Sequence, residues 1–427
     1  MTKGPFYLIY MESKEMLKEV LEDRMSLKDI RRNVASEFEA ASIRIDYLEN
    51  KYGGSLGMVR KLLDNNKSII DYEESAKRNI ENHLLSTGNT CIGFVEIMIN
   101  GKEKPVFLAT TEGALVSSMA RGAGVIRKSG GAKVIAMDRG MTRSVLIGAD
   151  DIFAIEGIND YIKSPSGKSF LHGKFSETTK HGQLTDVQTY GPIGKELFMI
   201  FRAKTGSAMG MNIVTIGANH ATEELIKLFK EKGTDCELIT QSANMCTDKK
   251  PTHINVLRGR GVYVSGDVTV PSEIVSQCLK IEPESLVRVN YLKNYVGGML
   301  AGTIGANSNI ANTIAATFLA YGQDMAQVVE SSIGFDNIEM NKKKGGVEFS
   351  INIPALEVGT FGGGTRAELP QEFLKFSGIY GENDAVGNTK LEFAKMICGA
   401  AMSLELSTLS ALATGTLANA HAKLKRG

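Results

Sequence analysis

The spacing of apolar and polar positions changes along the chain. In "MLKEVLEDRMSLKDI", Met16, Leu17, Val20, Leu21, Met25 and Leu27 recur at intervals near three and four among charged residues. That is the period of an amphipathic helix, so residues 11–50 are expected to form a small helical N-terminal region. Beyond residue 90 glycine becomes frequent and charge sparse, as in "LATTEGALVSSMARGAGVIRKSGG". Small side chains let backbones approach closely, which suits a larger, tightly packed domain.

Residues 195–240 mix two periods. "ELFMIF" puts Leu197, Met199 and Phe201 on one face of a strand. "SAMGMNIVTIGANHATEELIKLFKEKG" reads as a crossover helix with Ser207 as its N-cap, and "CELIT" as the next strand. Val347, Phe349, Ile351 and Ile353 alternate with Glu348, Ser350 and Asn352, which predicts a hairpin over 335–353 around "NKKKGG". Thr389 and Glu392 have capping-box spacing before a long apolar helix, "FAKMICGAAMSLELSTLSALATG".

Isolated charges inside apolar stretches point to chemistry. Thr313–Val329, "TIAATFLAYGQDMAQVV", reads as a buried helix with the single charge Asp324. A carboxylate there must stay protonated or find a cation. Glu112 in "ATTEGALVSSMA" poses the same problem. "MCTDKKPTHIN" crowds Asp248, Lys249 and Lys250 before Pro251, which stiffens the loop. Each string alone also reads as a structural ion pair, a helix-start carboxylate or a solvated turn. Together they lead to the expectation that Lys249, Glu112 and Asp324 share one dry pocket, where coupled protons serve acid–base catalysis.

Composition narrows the class. A chain of 427 residues implies two or three domains. Forty-nine basic residues against 48 acidic ones give a net charge of +1, which points away from nucleic acid and from a membrane surface. Five cysteines, none in a C-x-x-C pair, argue against a disulfide framework and for a reducing, cytoplasmic setting. The first twenty residues hold an apolar run of about six, too short for a signal segment or a membrane span. None of the six histidines has metal-ligand spacing, so no metal is expected. The strings "RGAGVIRKSGG", "TFGGGTR" and "TGSAMGMN" are each weak signals for a nucleotide phosphate.

Taken in order, "ATTEGALV", "GMTR", "SAMGMN", "CTDKKP", "GQDMAQ", "GTFGGGT" and "LANAH" resemble the 3-hydroxy-3-methylglutaryl-coenzyme A (HMG-CoA) reductase family, in its soluble archaeal form, over residues from about 80 to the end. The resemblance implies reduction of HMG-CoA to mevalonate with two NADPH, NADH being the other nicotinamide to test. It implies Lys249 as the oxyanion ligand, Glu112 as a proton donor in the second reduction, Asp324 as the group coupled to both, and His421 as the acid for the CoA thiolate. Substrate contacts map to Glu81, Asn82, Arg143, Ser242, Asn244, Asp248, Lys250 and Asn312. Cofactor contacts map to Thr179, Lys180, Ser207, Met209, Gly210, Met211, Asn212, Gly362, Gly363 and Gly364.

The implied fold is α+β. A helical N-terminal domain (1–75) precedes a large, mainly helical domain (76–145 and 241–427) around a long central helix. A small ferredoxin-like α/β insert (146–240) binds NADPH. The family works as a homo-oligomer with its active site at the dimer interface. The chain departs from the family pattern at Ser207, where an aspartate is usual, at Asn309 and Thr416, where histidines are usual, and over residues 83–98. A second reading is therefore an impaired paralogue that binds a CoA thioester or partners a true reductase.

Overall fold

The computed structural model describes residues 12–27, 29–34, 37–65, 91–112, 114–343 and 345–415. Helices and sheet are mixed, and the chain divides into two compact units. The first comprises residues 1–90 and 367–378. Its helices are α1 (Ser13–Leu21), α2 (Glu37–Tyr52), α3 (Gly57–Asn65) and a short one at Glu368–Phe376. Of the apolar stripe on α1, Met16 and Val20 are buried, while Leu21 at the helix end is exposed. The late segment joins this unit through Glu372, whose carboxylate accepts from Met58 N (2.6 Å) and Val59 N (3.1 Å) in the first turn of α3. Negative charge is favoured at that end of a helix.

The second unit takes residues 91–366 and 379–427. Strands β1 (Cys91–Ile99) and β2 (Lys102–Thr110) form an antiparallel hairpin, followed by α4 (Leu115–Lys128). Strand β3 (Lys133–Ala149) is 17 residues long and serves two sets of partners. Its first half pairs with β7 (Gly261–Val270), which pairs with β9 (Val347–Leu356), which pairs with β8 (Phe335–Met340), all antiparallel. Its second half pairs with β5 (Glu196–Lys204) and β6 (Cys236–Thr240), and β5 pairs with β4 (Gln183–Ile193).

Between these strands run α5 (Ile152–Lys163), α6 (Pro165–Ser176) and α7 (Met211–Glu231). Ile155, Ile158 and Leu171 from α5 and α6, with Val214 and Ala218 from α7, bury against Val145, Leu197, Met199 and Phe201 of the sheet. The strand–helix–strand reading of 195–240 and the hairpin at 335–353 are both borne out.

Two helix expectations need correction. The segment 313–329 is not one helix. Helix α8 (Ile310–Ala320) stops at Gly322, whose φ of 64° leaves the helical region, and Asp324 then caps a new turn by accepting from Ala326 N (3.1 Å). The C-terminal helix α9 (Asn388–Ala413) is not capped by Thr389 and Glu392. Asp384 accepts from Gly387 N (2.8 Å), Thr389 N (2.6 Å) and Thr389 Oγ1 (2.7 Å) instead. Helix α9 is buried at 18 of its 26 positions, so its apolar length is that of a core helix.

Glu405, at the buried heart of α9, accepts from Ser308 N (2.8 Å) and Asn309 N (2.6 Å) just before α8. Asp336 of β8 is its neighbour and accepts from Asn294 Nδ2 (2.9 Å). Burial and the neighbouring Glu405 push the Asp336 carboxyl up to about 9. The folded chain therefore keeps a proton that the unfolded chain releases near pH 4. Stability falls as pH rises between those values, by at most about 1.4 kcal/mol per pH unit. Asp336→Asn keeps an acceptor for Asn294 and offers an N–H towards Glu405 without the titrating proton. It is expected to flatten the slope and to stabilise the protein above pH 7, as read from denaturant midpoints at pH 5 to 9. Parallel profiles for the two proteins would refute the assignment.

Candidate active site

The loop from Asn244 to Lys250 is held in an unusual backbone conformation. Asn244, Thr247 and Lys249 have φ of 59°, 61° and 57°, in the left-handed region that costs a non-glycine residue on the order of 1 kcal/mol. Buried partners hold it there. Thr247 Oγ1 donates to Asn255 Oδ1, Thr142 Oγ1 donates to Cys246 O (2.9 Å), and Lys249 N donates to Glu330 Oε1 (2.7 Å).

So held, Lys249 places Nζ 3.1 Å from Asp324 Oδ2. Arg143 donates to Thr215 Oγ1 (2.9 Å) and Ser242 Oγ (2.8 Å), with Asp248 Oδ2 at 3.8 Å. Ser242, Asn244 and Lys250 are exposed, and Lys250 Nζ donates back to Asp248 O (3.3 Å).

Lys249 and Asp324 open on a cleft of about 810 Å³ that also takes in Arg143, Asp248, the start of α7 and Gly362–Gly364. Gly210 caps α7 with φ 100°, and a Cβ there would stand 2.3 Å from Thr205 Cγ2, so only glycine makes this turn. No side chain caps α7. Residues 210–213 line the cleft, so the free N–H groups and the positive end of a 21-residue helix suit a phosphate. Arg366 lines the cleft too; its guanidinium stacks 5.1 Å from the Phe361 ring centroid and pairs with no carboxylate among the described residues. A cleft of this size, with a helix start and this guanidinium on its wall, fits a dinucleotide.

Several expectations are corrected by the geometry. Ser207 is not the N-cap of α7. It is buried and donates to Gly381 O (2.7 Å), while remaining part of the cleft wall with Met209, Met211 and Asn212. In the single chain the Lys249 and Asp324 side chains are 41% and 34% exposed. The Glu112 carboxylate accepts from Asn312 Nδ2 (2.8 Å), and neither residue lines the cleft.

Thr179 holds a turn by accepting from His181 N (3.0 Å) and Gly182 N (3.1 Å). Lys180 is exposed, and His181 is the residue of that turn that reaches the cleft. Glu81, Asn82, Thr416 and His421 lie outside the described residues.

Sequence reasoning missed the support under the loop. Arg260 is 1% exposed and contacts Asp248 Oδ1 (3.1 Å), Glu330 Oε1 (3.0 Å) and Glu357 Oε1. Burial pushes the Glu330 and Glu357 carboxyls up. A signal was present, since each glutamate is a lone charge in an apolar string, "VVESSIG" and "PALEVG".

An ammonium fixed by a carboxylate, at the wall of a dinucleotide-sized cleft with a helix N-terminus opening into it, is the site of a nucleotide-dependent carbonyl reductase. The comparisons name the family. The sequence pattern described as hydroxymethylglutaryl-coenzyme A reductase matches residues 40–426. The 3-hydroxy-3-methylglutaryl-coenzyme A reductase of Pyrococcus abyssi is 37% identical over 97% of this chain and 100% of its own length. That of Methanothermobacter thermautotrophicus is 37% identical over 96% and 100%. The fold resembles the class II enzyme of Streptococcus pneumoniae, solved bound to NADPH in open conformations, with a TM-score of 0.68 at 18% identity over 91% of this chain and 100% of that one. The chain belongs to the HMG-CoA reductase family.

Proposed function

We propose that this chain is a working HMG-CoA reductase, which converts HMG-CoA to mevalonate and CoA at the expense of two NADPH. The observation that carries the reading is the Lys249–Asp324 pair on the wall of the cleft that the start of α7 enters. Bound nicotinamide supplies the hydride. The residues of the chain bind, orient and move protons around it. Lys249 stabilises the negative charge that develops on the carbonyl oxygen, and Asp324 holds the ammonium in place. Arg143 and Lys250 take the HMG carboxylate, with Ser242, Asn244 and Asp248 around them. Glu112, oriented by Asn312, gives a proton in the second reduction, and His421 meets the departing thiolate. Glu81 and Asn82 lie on the CoA side.

For the cofactor, the backbone at Met209, Gly210, Met211 and Asn212 and at Gly362, Gly363 and Gly364 receives the dinucleotide beside Ser207. Thr179 and Lys180 face its 2′-phosphate. Residues 146–240, with the end of β3, form the cofactor domain. Its strand order β4–β5–β3–β6, with α5 and α6 after β3 and α7 after β5, supports a ferredoxin-like insert. The helical region 1–75 and the large domain built on α9 complete the arrangement. Active sites are shared between copies of a cytoplasmic homo-oligomer. The separation of the Glu112–Asn312 pair from its own chain's cleft supports that reading, since a partner copy can bring it to the lysine.

The test is an absorbance assay of the full chain with HMG-CoA and each nicotinamide. Oxidation of two NADPH per CoA released is expected. No turnover with either nicotinamide, while calorimetry still registers HMG-CoA binding, would make the chain a thioester-binding protein.

A further inference from the structure

Arg260 connects the elements that build the cleft. Its guanidinium holds Asp248 next to the lysine, Glu330 a few residues beyond Asp324, and Glu357 just before the glycine-rich turn. It also donates to Thr142 Oγ1 of β3 (3.0 Å) and touches the sulfur of Met211, the first residue of α7. Asp248, Glu330 and Glu357 lie close enough to grip a cation, and this guanidinium already occupies that place.

Charge does not balance if every acid is ionised, because one guanidinium would face three carboxylates. Asp248 has a second cation in Arg143 and a donor in Gln327 Nε2 (3.3 Å). Glu330 and Glu357 have no second cation among the described residues, and Glu357 no second donor. Both are buried, and both accept through Oε1 from the same nitrogen, Nη1 of Arg260. Their Oε2 atoms meet no N–H or O–H donor. The two carboxyl groups present oxygens within 4.8 Å of each other. A single proton shared by the pair supplies the missing donor and leaves one negative charge for Arg260. The free side of Glu330 Oε1 then accepts Lys249 N–H (2.7 Å), and this bond fixes the left-handed backbone at the lysine.

We propose that Arg260, Glu330 and Glu357 form a clamp with one shared proton, and that this clamp positions Lys249 for reaction. The second half rests on the reading of Lys249 as the oxyanion ligand. These are positioning residues, since none of the three lines the cleft.

A shared proton makes a specific demand on substitution. A carboxamide carries its own N–H, so it replaces the proton in either partner and still presents an oxygen to Arg260. Glu330→Gln and Glu357→Gln, made separately in the full chain, are each expected to lower kcat by no more than about threefold. The double variant leaves Arg260 without the shared negative charge. Its kcat is expected to fall by about 100-fold, the scale of a misplaced reacting group, with a much smaller change in KM. Independently of turnover, infrared difference spectra at neutral pH between the wild-type protein and each single variant are expected to show the loss of one buried carboxylic acid component, while the component of Asp336, identified by its loss in Asp336→Asn, remains.

Single variants that fold and yet lose 100-fold would overturn the shared proton, as would difference spectra in which neither substitution removes an acid component. A double variant that is folded and active would overturn the positioning role; if it fails to fold, the single variants and the difference spectra still decide. A wild-type chain with that acid component but no HMG-CoA turnover would sink the reductase reading and leave the shared proton standing.

Discussion

Replacing Lys249 by alanine is expected to lower kcat for HMG-CoA reduction by about 10²–10³-fold, or roughly 3–4 kcal/mol of barrier, with a change in KM below about threefold. Hydride addition turns a neutral carbonyl oxygen into an anion, so a fixed ammonium is worth more to the transition state than to the bound thioester. The cost of fixing it is met before substrate arrives. Three left-handed residues, the Glu330 contact to the Lys249 backbone and the Asp324 contact to its side chain are all in place in the chain alone. The side chain remains 41% exposed, so solvent screens part of its charge until the cleft is filled. Steady-state kinetics with HMG-CoA and, separately, with mevaldehyde check the expectation. Both steps create an alkoxide and both should suffer. A rise in KM that accounts for the whole loss would make the lysine a binding group only.

The parts of this architecture that were legible from sequence are those set by local period. Strand β9 buries Val347, Phe349 and Ile351 on one face, as the alternation implied. Helix α7 follows its apolar stripe. Its start was misplaced because Ser207 satisfied a statistical preference for caps, while the tight turn at Thr205–Gly210 needed a glycine with positive φ at the boundary. At Asp324 the apolar composition of the segment outweighed two local signals, Gly322 as a stop and the aspartate itself as a new cap.

Pairings were less legible, because nothing in a single chain states which distant charge meets which. Lys249 with Asp324 was found from the chemistry both demanded. Glu112 was assigned to the same pair, yet its partner is Asn312, 200 residues away. Glu330 and Glu357 met the same criterion of a lone charge in apolar surroundings, and their partner Arg260 lies 70 and 97 residues off. Within one chain, then, the structure shows two pairs, Lys249 with Asp324 and Glu112 with Asn312, and a buried support beneath the first.

The other large effect is on folding, and it distinguishes two glycines two positions apart. Gly122→Ala is expected to destabilise the full chain by about 3 kcal/mol, whereas Gly124→Ala is expected to be neutral or to stabilise by up to about 1 kcal/mol. Both glycines lie inside α4. A Cβ at Gly122 would stand 1.8 Å from Ser403 O and 2.6 Å from its carbonyl carbon, on the backbone of α9. No rotamer relieves a clash with a backbone atom, so the two helices must part. Helix α9 cannot yield, because Ile397, Cys398 and Leu406 near that contact are fully buried. Parting would also strain the polar seam beside it, where Ser118 Oγ meets Ser407 Oγ (2.8 Å) and Arg121 Nε donates to the same hydroxyl (3.0 Å). At Gly124 a Cβ meets nothing within 4 Å, and alanine restricts the unfolded chain at no cost in packing. Denaturant titrations of both variants check the pair. Equal midpoints would mean that α4 and α9 do not approach this closely, and the close helix seam would have to be abandoned as the reason this core tolerates only small residues.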